Sequence, residues 1–258
     1  MLPANPLRLP YGKHPDQYAE LTLPDGGGTA PAQNLPPVVV IIHGGYWRSR
    51  YTAELGRPAA RDLAGRGYAC WNLEYRRAGS GGGWPETFED IDAGIDALAP
   101  AAREYGLDLS RVTVLGHSAG GHLAVWAAGR TGAAVPVTAV VSQAGVLNLA
   151  EAMELNLSDG AVRNFLGSSP EADPHRYRSA DPMQRLPLTV PVTALHGDRD
   201  RHVPLSQSAG YVQAAVEAGS PAELRMLPGD HFELITPGTE AWAAVVKAVA
   251  EATQLRRT

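Results

Sequence analysis

Residues 38–42 read Val-Val-Val-Ile-Ile and run straight into His43-Gly44-Gly45. An unbroken β-branched run offers no polar face to water. It therefore predicts a strand covered on both sides, as in a parallel sheet. The rest of the chain fits that expectation. Residues 18–23 alternate and predict an early strand, and 25–37 are rich in turn formers and predict a loop. Residues 52–66 read as a helix and 68–74 as a strand, followed by a glycine-rich loop at 79–83. After Pro85, Phe88, Ile91, Ile95 and Leu98 recur at helical spacing. Strands are expected at 111–115, 137–142, 190–195 and 222–227, and helices at 119–128, 205–218 and 239–252. Such alternation predicts an α/β fold with a mostly parallel central sheet flanked by helices. Residues 147–187 break the rhythm and are too long for an ordinary connection. They are expected to form a short cap inserted within one domain of 1–258, with a helical signal near 160–166.

Bulk properties exclude several functions. The net charge is −5 and no run of Lys or Arg offers a phosphate-binding stripe, which argues against a nucleic-acid partner. No stretch approaches the roughly 18 apolar residues of a membrane span, and the first ten residues lack the apolar core of a secretion signal. The expectation is a soluble, cytoplasmic protein without a membrane partner. A homodimer is left open. Cys70 is the one cysteine, so no intrachain disulfide forms; its apolar surroundings predict a buried thiol.

The most informative string is Gly116-His117-Ser118-Ala119-Gly120, set between the predicted strand 111–115 and the predicted helix 119–128. Small residues on both sides let the chain reverse sharply and lift a serine hydroxyl above the sheet. The helix that follows presents its N-terminus where negative charge would develop. In this context the string resembles the nucleophile turn of the α/β-hydrolase superfamily, and the likeness extends over nearly the whole chain. The resemblance implies the α/β-hydrolase fold, with Ser118 as nucleophile and a triad running serine, acid, histidine along the chain.

A serine hydroxyl needs a base, and the usual base is a histidine neutral near pH 7. His175, His196, His202 and His231 lie after Ser118. His231 follows the last predicted strand in a loop before the final helix, at the sheet edge where open α/β folds keep their sites. The acid should follow the preceding strand, where Asp198 and Asp200 both stand. The residues alone leave both open. The resemblance of His196-Gly197-Asp198-Arg199-Asp200-Arg201-His202-Val203-Pro204 to the superfamily's HG-x-x-D-x-x-VP string selects Asp200. His202 then reads as a loop residue and Asp198 as a turn former.

The loop His43-Gly44-Gly45-Tyr46-Trp47 follows the buried run directly. Backbone amides of Gly44, Gly45 or Tyr46, together with Ala119, are the candidate oxyanion donors; one such donor is worth about 2.7–4 kcal/mol. The loop has the form HGG-x-W. It resembles the branch that holds kynurenine formamidase (arylformamidase) and the acetyl and feruloyl esterases. Tyr11-Gly12, Asn72-Leu73-Glu74-Tyr75-Arg76 and Asp230-His231-Phe232-Glu233 resemble segments of those enzymes too. The string around Asp200 is closer to general esterases and peptidase-like hydrolases. Tyr46, Trp47, Trp84 and His117 are candidates for lining a substrate pocket; Trp47 reads equally as a packed support of its own loop, and Trp126 is assigned to the core.

No ligand spacing supports a metal: His117 and His122 are five apart, not the four of H-E-x-x-H. No phosphate loop or dinucleotide fingerprint is present, so neither metal nor organic cofactor is expected. The expected chemistry is two-step acyl transfer to water from a small ester or aryl formamide, through an acyl-enzyme. The rival readings are a peptidase or lactone hydrolase of the same fold, or a binding protein that keeps the fold without chemistry.

Overall fold

The computed structural model describes residues 6–25 and 35–254. Most of the loop expected at 25–37 lies outside them. Eight strands form one sheet: β1 (Leu7–Pro10), β2 (Tyr18–Thr22), β3 (Pro37–Ile42), β4 (Ala69–Leu73), β5 (Asp108–His117), β6 (Ala139–Gln143), β7 (Val192–Gly197) and β8 (Ala222–Leu227), in the order β1-β2-β4-β3-β5-β6-β7-β8. The first two are antiparallel to their neighbours and all later pairings are parallel. β1 was not expected from the sequence.

β3 behaves as its composition demands. Val38, Val40 and Ile42 face one apolar cluster, and Val39 and Ile41 face the other. Helices α1 (Arg57–Ala64) and α9 (Glu240–Ala252) cover the second face. The first face is covered by α2 (Glu86–Asp96), α3 (Leu98–Tyr105), α4 (Ala119–Ala128) and α8 (Leu205–Glu217). Cys70 lies buried in the second cluster. No helix among the described residues is long and apolar enough to cross a membrane.

The segment between β6 and β7 holds more helix than expected: α5 (Leu149–Glu154), α6 (Ala161–Leu166), α7 (Pro174–Ala180) and a 3-10 turn over Pro182–Arg185. Asn148 and Asp173 cap α5 and α7 by accepting the Glu151 and Arg176 amides, each at 3.0 Å. The insert joins the core beside α4 through Leu149, Val162, Phe165, Leu166 and Tyr177.

For Trp47 the structure selects packing over the substrate contact that the sequence also allowed. It is fully buried and stacks on Phe165 of α6, centroids 4.5 Å apart at 5°. Its indole N–H donates to His122 Nδ1 at 3.2 Å, and His122 Nε2 donates to the Ala180 carbonyl at 2.9 Å. Trp47 thus ties the loop after β3 to α4 and the insert, and it leaves no surface for a substrate.

β4 and β5 extend from opposite sides of β3, so the sheet changes direction at the carboxyl ends of β3 and β5. Crevices at such points are where open α/β sheets bind ligands. Here α4 approaches β3 closely. A Cβ added to Gly120 would lie 2.0 Å from the Ile42 carbonyl oxygen. Gly120→Ala is therefore expected to destabilise the fold, measured by urea unfolding. By contrast a Cβ on Gly210 of α8 meets nothing within 4 Å, so Gly210→Ala should stabilise by about 0.5–1 kcal/mol.

Burial sets a second expectation. It lowers the pKa of His117 to about 3 and of His122 to about 4, and lowers that of His196 also. A depressed histidine stays neutral when folded and takes a proton when unfolded, so its stability contribution fades as pH falls from about 6.5. Burial raises Asp181 from 3.8 to about 6, which favours the folded state in the opposite direction over that window. Three histidines outweigh one carboxyl. The urea midpoint should therefore be lower at pH 5 than at pH 7; an equal or higher midpoint would contradict this.

Candidate active site

Ser118 follows β5 directly and precedes α4, with φ 55° and ψ −119°. A serine at positive φ is held there against its own preference. Its amide donates to the Gln143 carbonyl at the end of β6 (2.8 Å), and its carbonyl accepts from His122 and Val146. The Gln143 side chain donates to the Leu234 carbonyl at 2.5 Å, linking the nucleophile turn to the segment after β8. Ser118 is 2% exposed. Among the described residues the Ala119 amide has no acceptor, as the first turn of a helix requires.

Asp200 and Asp198 separate cleanly. Asp200 Oδ2 lies 2.6 Å from His231 Nδ1, and its Oδ1 accepts the amides of His202 (2.8 Å) and Val203 (2.9 Å). Burial would raise its pKa, but the His231 hydrogen bond and charge and those two amides outweigh it and hold the carboxyl at about 2. Asp198 instead accepts the Gly229 amide at 2.9 Å and pairs with Arg199 at the surface. It shapes the turns after β7 and β8. His231 is 3% exposed.

The loop after β3 lies against Ser118. A Cβ on Gly44 would fall 3.1 Å from Ser118 Cβ and 2.8 Å from the His117 carbonyl. Only a glycine lets the backbone come so near. The amides of Gly44, Gly45 and Tyr46 have no acceptor among the described residues. Tyr46 and Trp47 both take positive φ, 51° and 55°. The Tyr46 hydroxyl donates to the His202 carbonyl at 2.6 Å, so this loop and the acid loop are clasped. Burial, then the Asp200 charge, pushes the Tyr46 phenol up to about 12 and keeps it a donor.

Beneath the loop sits a polar network that the sequence reading missed. Glu74 accepts from the amides of Ala53 (2.8 Å) and Tyr75 (3.0 Å), pairs with Arg77, and lies 3.0 Å from His43 Nε2. The Tyr75 hydroxyl donates to the His43 carbonyl at 2.8 Å, and its ring stacks on His43. His196, at the end of β7, also supports Asp200. Its Nε2 donates to the Val203 carbonyl at 3.0 Å, its Nδ1 meets the Ser208 hydroxyl at 2.9 Å, and it lies 3.7 Å from Asp200. Its place at the end of β7 was visible; its partners were not.

The candidate pocket residues scatter. Tyr46 is half-buried at the clasp. Trp84 is half-buried and packs edge-on against Phe88. His117 is 6% exposed and turned toward His231, with ring centroids 4.4 Å apart, and with His43, Gly44 and Gln143 it lines a small hollow beside the loop after β3. Trp126 is half-buried and donates to the Ser179 carbonyl. Exposed Phe232 and His202, with rings 5.0 Å apart, flank His231 instead. Among the described residues, no group of three or more His, Cys, Asp or Glu is arranged to hold a metal ion.

Known proteins share this architecture. A truncated carbohydrate esterase from gut microbiota superposes with a TM-score of 0.84 at 19% identity, covering 98% of each chain. Esterase 2 of Thermogutta terrifontis, in a structure phosphonylated by sarin, gives a TM-score of 0.75 at 22% identity over 97% of this chain and 94% of that one. These likenesses show the α/β-hydrolase fold. In sequence, Esterase LipC of Mycobacterium tuberculosis is 28% identical over 222 residues, 80% of this chain and 54% of LipC. The chain spans about half the length of the curated relatives it matches. The BD-FAE family model matches residues 29–214, and the chain belongs to the BD-FAE family of α/β-hydrolase esterases.

Proposed function

We propose that the protein is a serine hydrolase of carboxylic esters, with Ser118 as nucleophile, His231 as base and Asp200 as the acid that orients it. The observation that carries this reading is the 2.6 Å Asp200–His231 contact at the same sheet edge as a serine held at φ 55°. His231 accepts the Ser118 proton as the hydroxyl attacks the ester carbonyl. The amides of Ala119 and of Gly44, Gly45 or Tyr46 face the developing oxyanion. Asp200 holds the Nδ1–H tautomer and stabilises the imidazolium. The leaving alcohol takes the proton, and water activated by His231 releases the acid. Relatives named as esterases, and a neighbour phosphonylated by sarin, support the ester class.

An aryl formamide would follow the same steps with an amine leaving. It rests on sequence resemblance alone, and Trp47 of the HGG-x-W loop is buried in packing. The ester reading is therefore preferred. Neither metal nor organic cofactor enters the scheme, and we take the working location as cytoplasmic. The insert at 147–187 is assigned the role of a cap belonging to the same domain.

A fluorophosphonate probe should label wild-type protein on Ser118, and Ser118→Ala should abolish labelling. With p-nitrophenyl acetate, N-formylkynurenine and a peptide amide assayed together, the acetate should be hydrolysed fastest. Faster turnover of the formamide or the amide would overturn the ester assignment. Ser118→Ala should lower kcat by about 10⁶-fold. Asp200→Asn should lower it by about 10⁴-fold, and Asp198→Asn far less. The reverse order for the two aspartates would reassign the acid.

A further inference from the structure

We infer that His117 is a positioning residue for the base: its Nε2–H, donated to the backbone carbonyl of His231, sets where the imidazole of His231 stands relative to Ser118. This rests on the proposed hydrolase reading and names a residue to which that reading gives no role.

The geometry is specific. His117 Nε2 lies 2.9 Å from the His231 carbonyl oxygen, across 114 residues of chain. Among the described residues that carbonyl has no other donor. Both residues are buried, at 6% and 3% exposure, and a buried carbonyl left without a donor is costly. His231 is thus held at two points. Asp200 fixes the ring through Nδ1, and His117 fixes the backbone that carries the ring.

His117 also touches the other two parts of the site. It precedes Ser118 directly, so the turn that aims the hydroxyl also aims this ring. Its Nδ1 would lie 3.0 Å from a Cβ on Gly44, which puts the ring against the loop with the free amides. One side chain therefore sets the spacing of nucleophile, base and oxyanion loop.

The ionisable groups facing it are His231, Asp200 and His202. Burial, then the charge of His231, keeps His117 neutral, with its pKa at about 3. Neutrality matters because the rings are 4.4 Å apart. A cation at 117 would oppose the imidazolium that forms on His231 during acyl transfer. A neutral ring positions the base without that penalty.

The test compares His117→Gln with His117→Asn. A glutamine amide nitrogen reaches about as far from the backbone as histidine Nε2; the asparagine amide stops at the Nδ1 position. Wild-type and both variants are assayed for kcat and KM on p-nitrophenyl acetate and for labelling rate by a fluorophosphonate. Glutamine should retain most of the activity. Asparagine should lose about 10²-fold in kcat and in labelling rate, the cost of a misplacement near 1 Å, with KM nearly unchanged. Equal activities for the two variants, or a loss confined to KM, would overturn the positioning role and leave the hydrolase reading intact. Wild-type protein that neither labels nor hydrolyses the ester would overturn both.

Discussion

The backbone of α4 presses against the end of β3 so closely that one added carbon at position 120 would meet the Ile42 carbonyl at 2.0 Å. Everything at the site follows from that approach. It brings the start of a helix, with its free amides, up to the loop that leaves the central strand. It also forces the reversal at Ser118, where the chain takes a φ no serine chooses freely. The strain is small beside what surrounds it. β3 is buried on both faces, β5 pairs along it, and Gln143 receives the Ser118 amide. The sheet supplies the rigidity, and the turn converts it into an aimed hydroxyl.

Charge is placed with equal economy. His43, His117, His122 and His196 are buried near the sheet edge, yet each meets a fixed partner. Burial lowers the pKa of His117, His122 and His196 and keeps these rings neutral, so they act as oriented donors and acceptors. Asp200 is held as a carboxylate beside His231. Positive charge forming on His231 therefore meets one anion and no competing buried cation among these three rings. A low-dielectric site strengthens that pairing. The same burial makes acid costly to the fold, because a proton taken up by these rings places charge where water does not reach it.

The sequence revealed those features whose causes are local. The β-branched run at 38–42 carries its own burial, and the G-x-S-x-G turn carries its own geometry. β1 was missed because Leu7–Pro10 is a mostly exposed edge strand of four residues, ending in proline, with little pattern to read. α5 and α7 were missed because six and seven residues span at most two helical turns. Their Asn148 and Asp173 caps were the available signal. Asp198 and Asp200 could not be separated by residue type, since both follow the same strand. Only the direction in which the chain leaves β7 sends one to Gly229 and the other to His231. The His117 contact is less legible still, because its partner is a backbone carbonyl, which every residue possesses.

Trp47 shows why a motif can mark a scaffold more sharply than a substrate. Its ring is spent on Phe165 and His122, where it locks the loop after β3 to α4 and to the insert. Any enzyme that needs those three parts held together gains from a tryptophan there, whatever bond it cleaves. The side chains open to a bound molecule at this edge are those that keep a free surface there. Phe232 and His202 meet that condition beside His231, and half-buried Tyr46 closes the loop across from them through the His202 carbonyl. Changing Phe232 or His202 alters what the base's neighbours present to a substrate, whereas changing Trp47 alters whether the loop holds its shape.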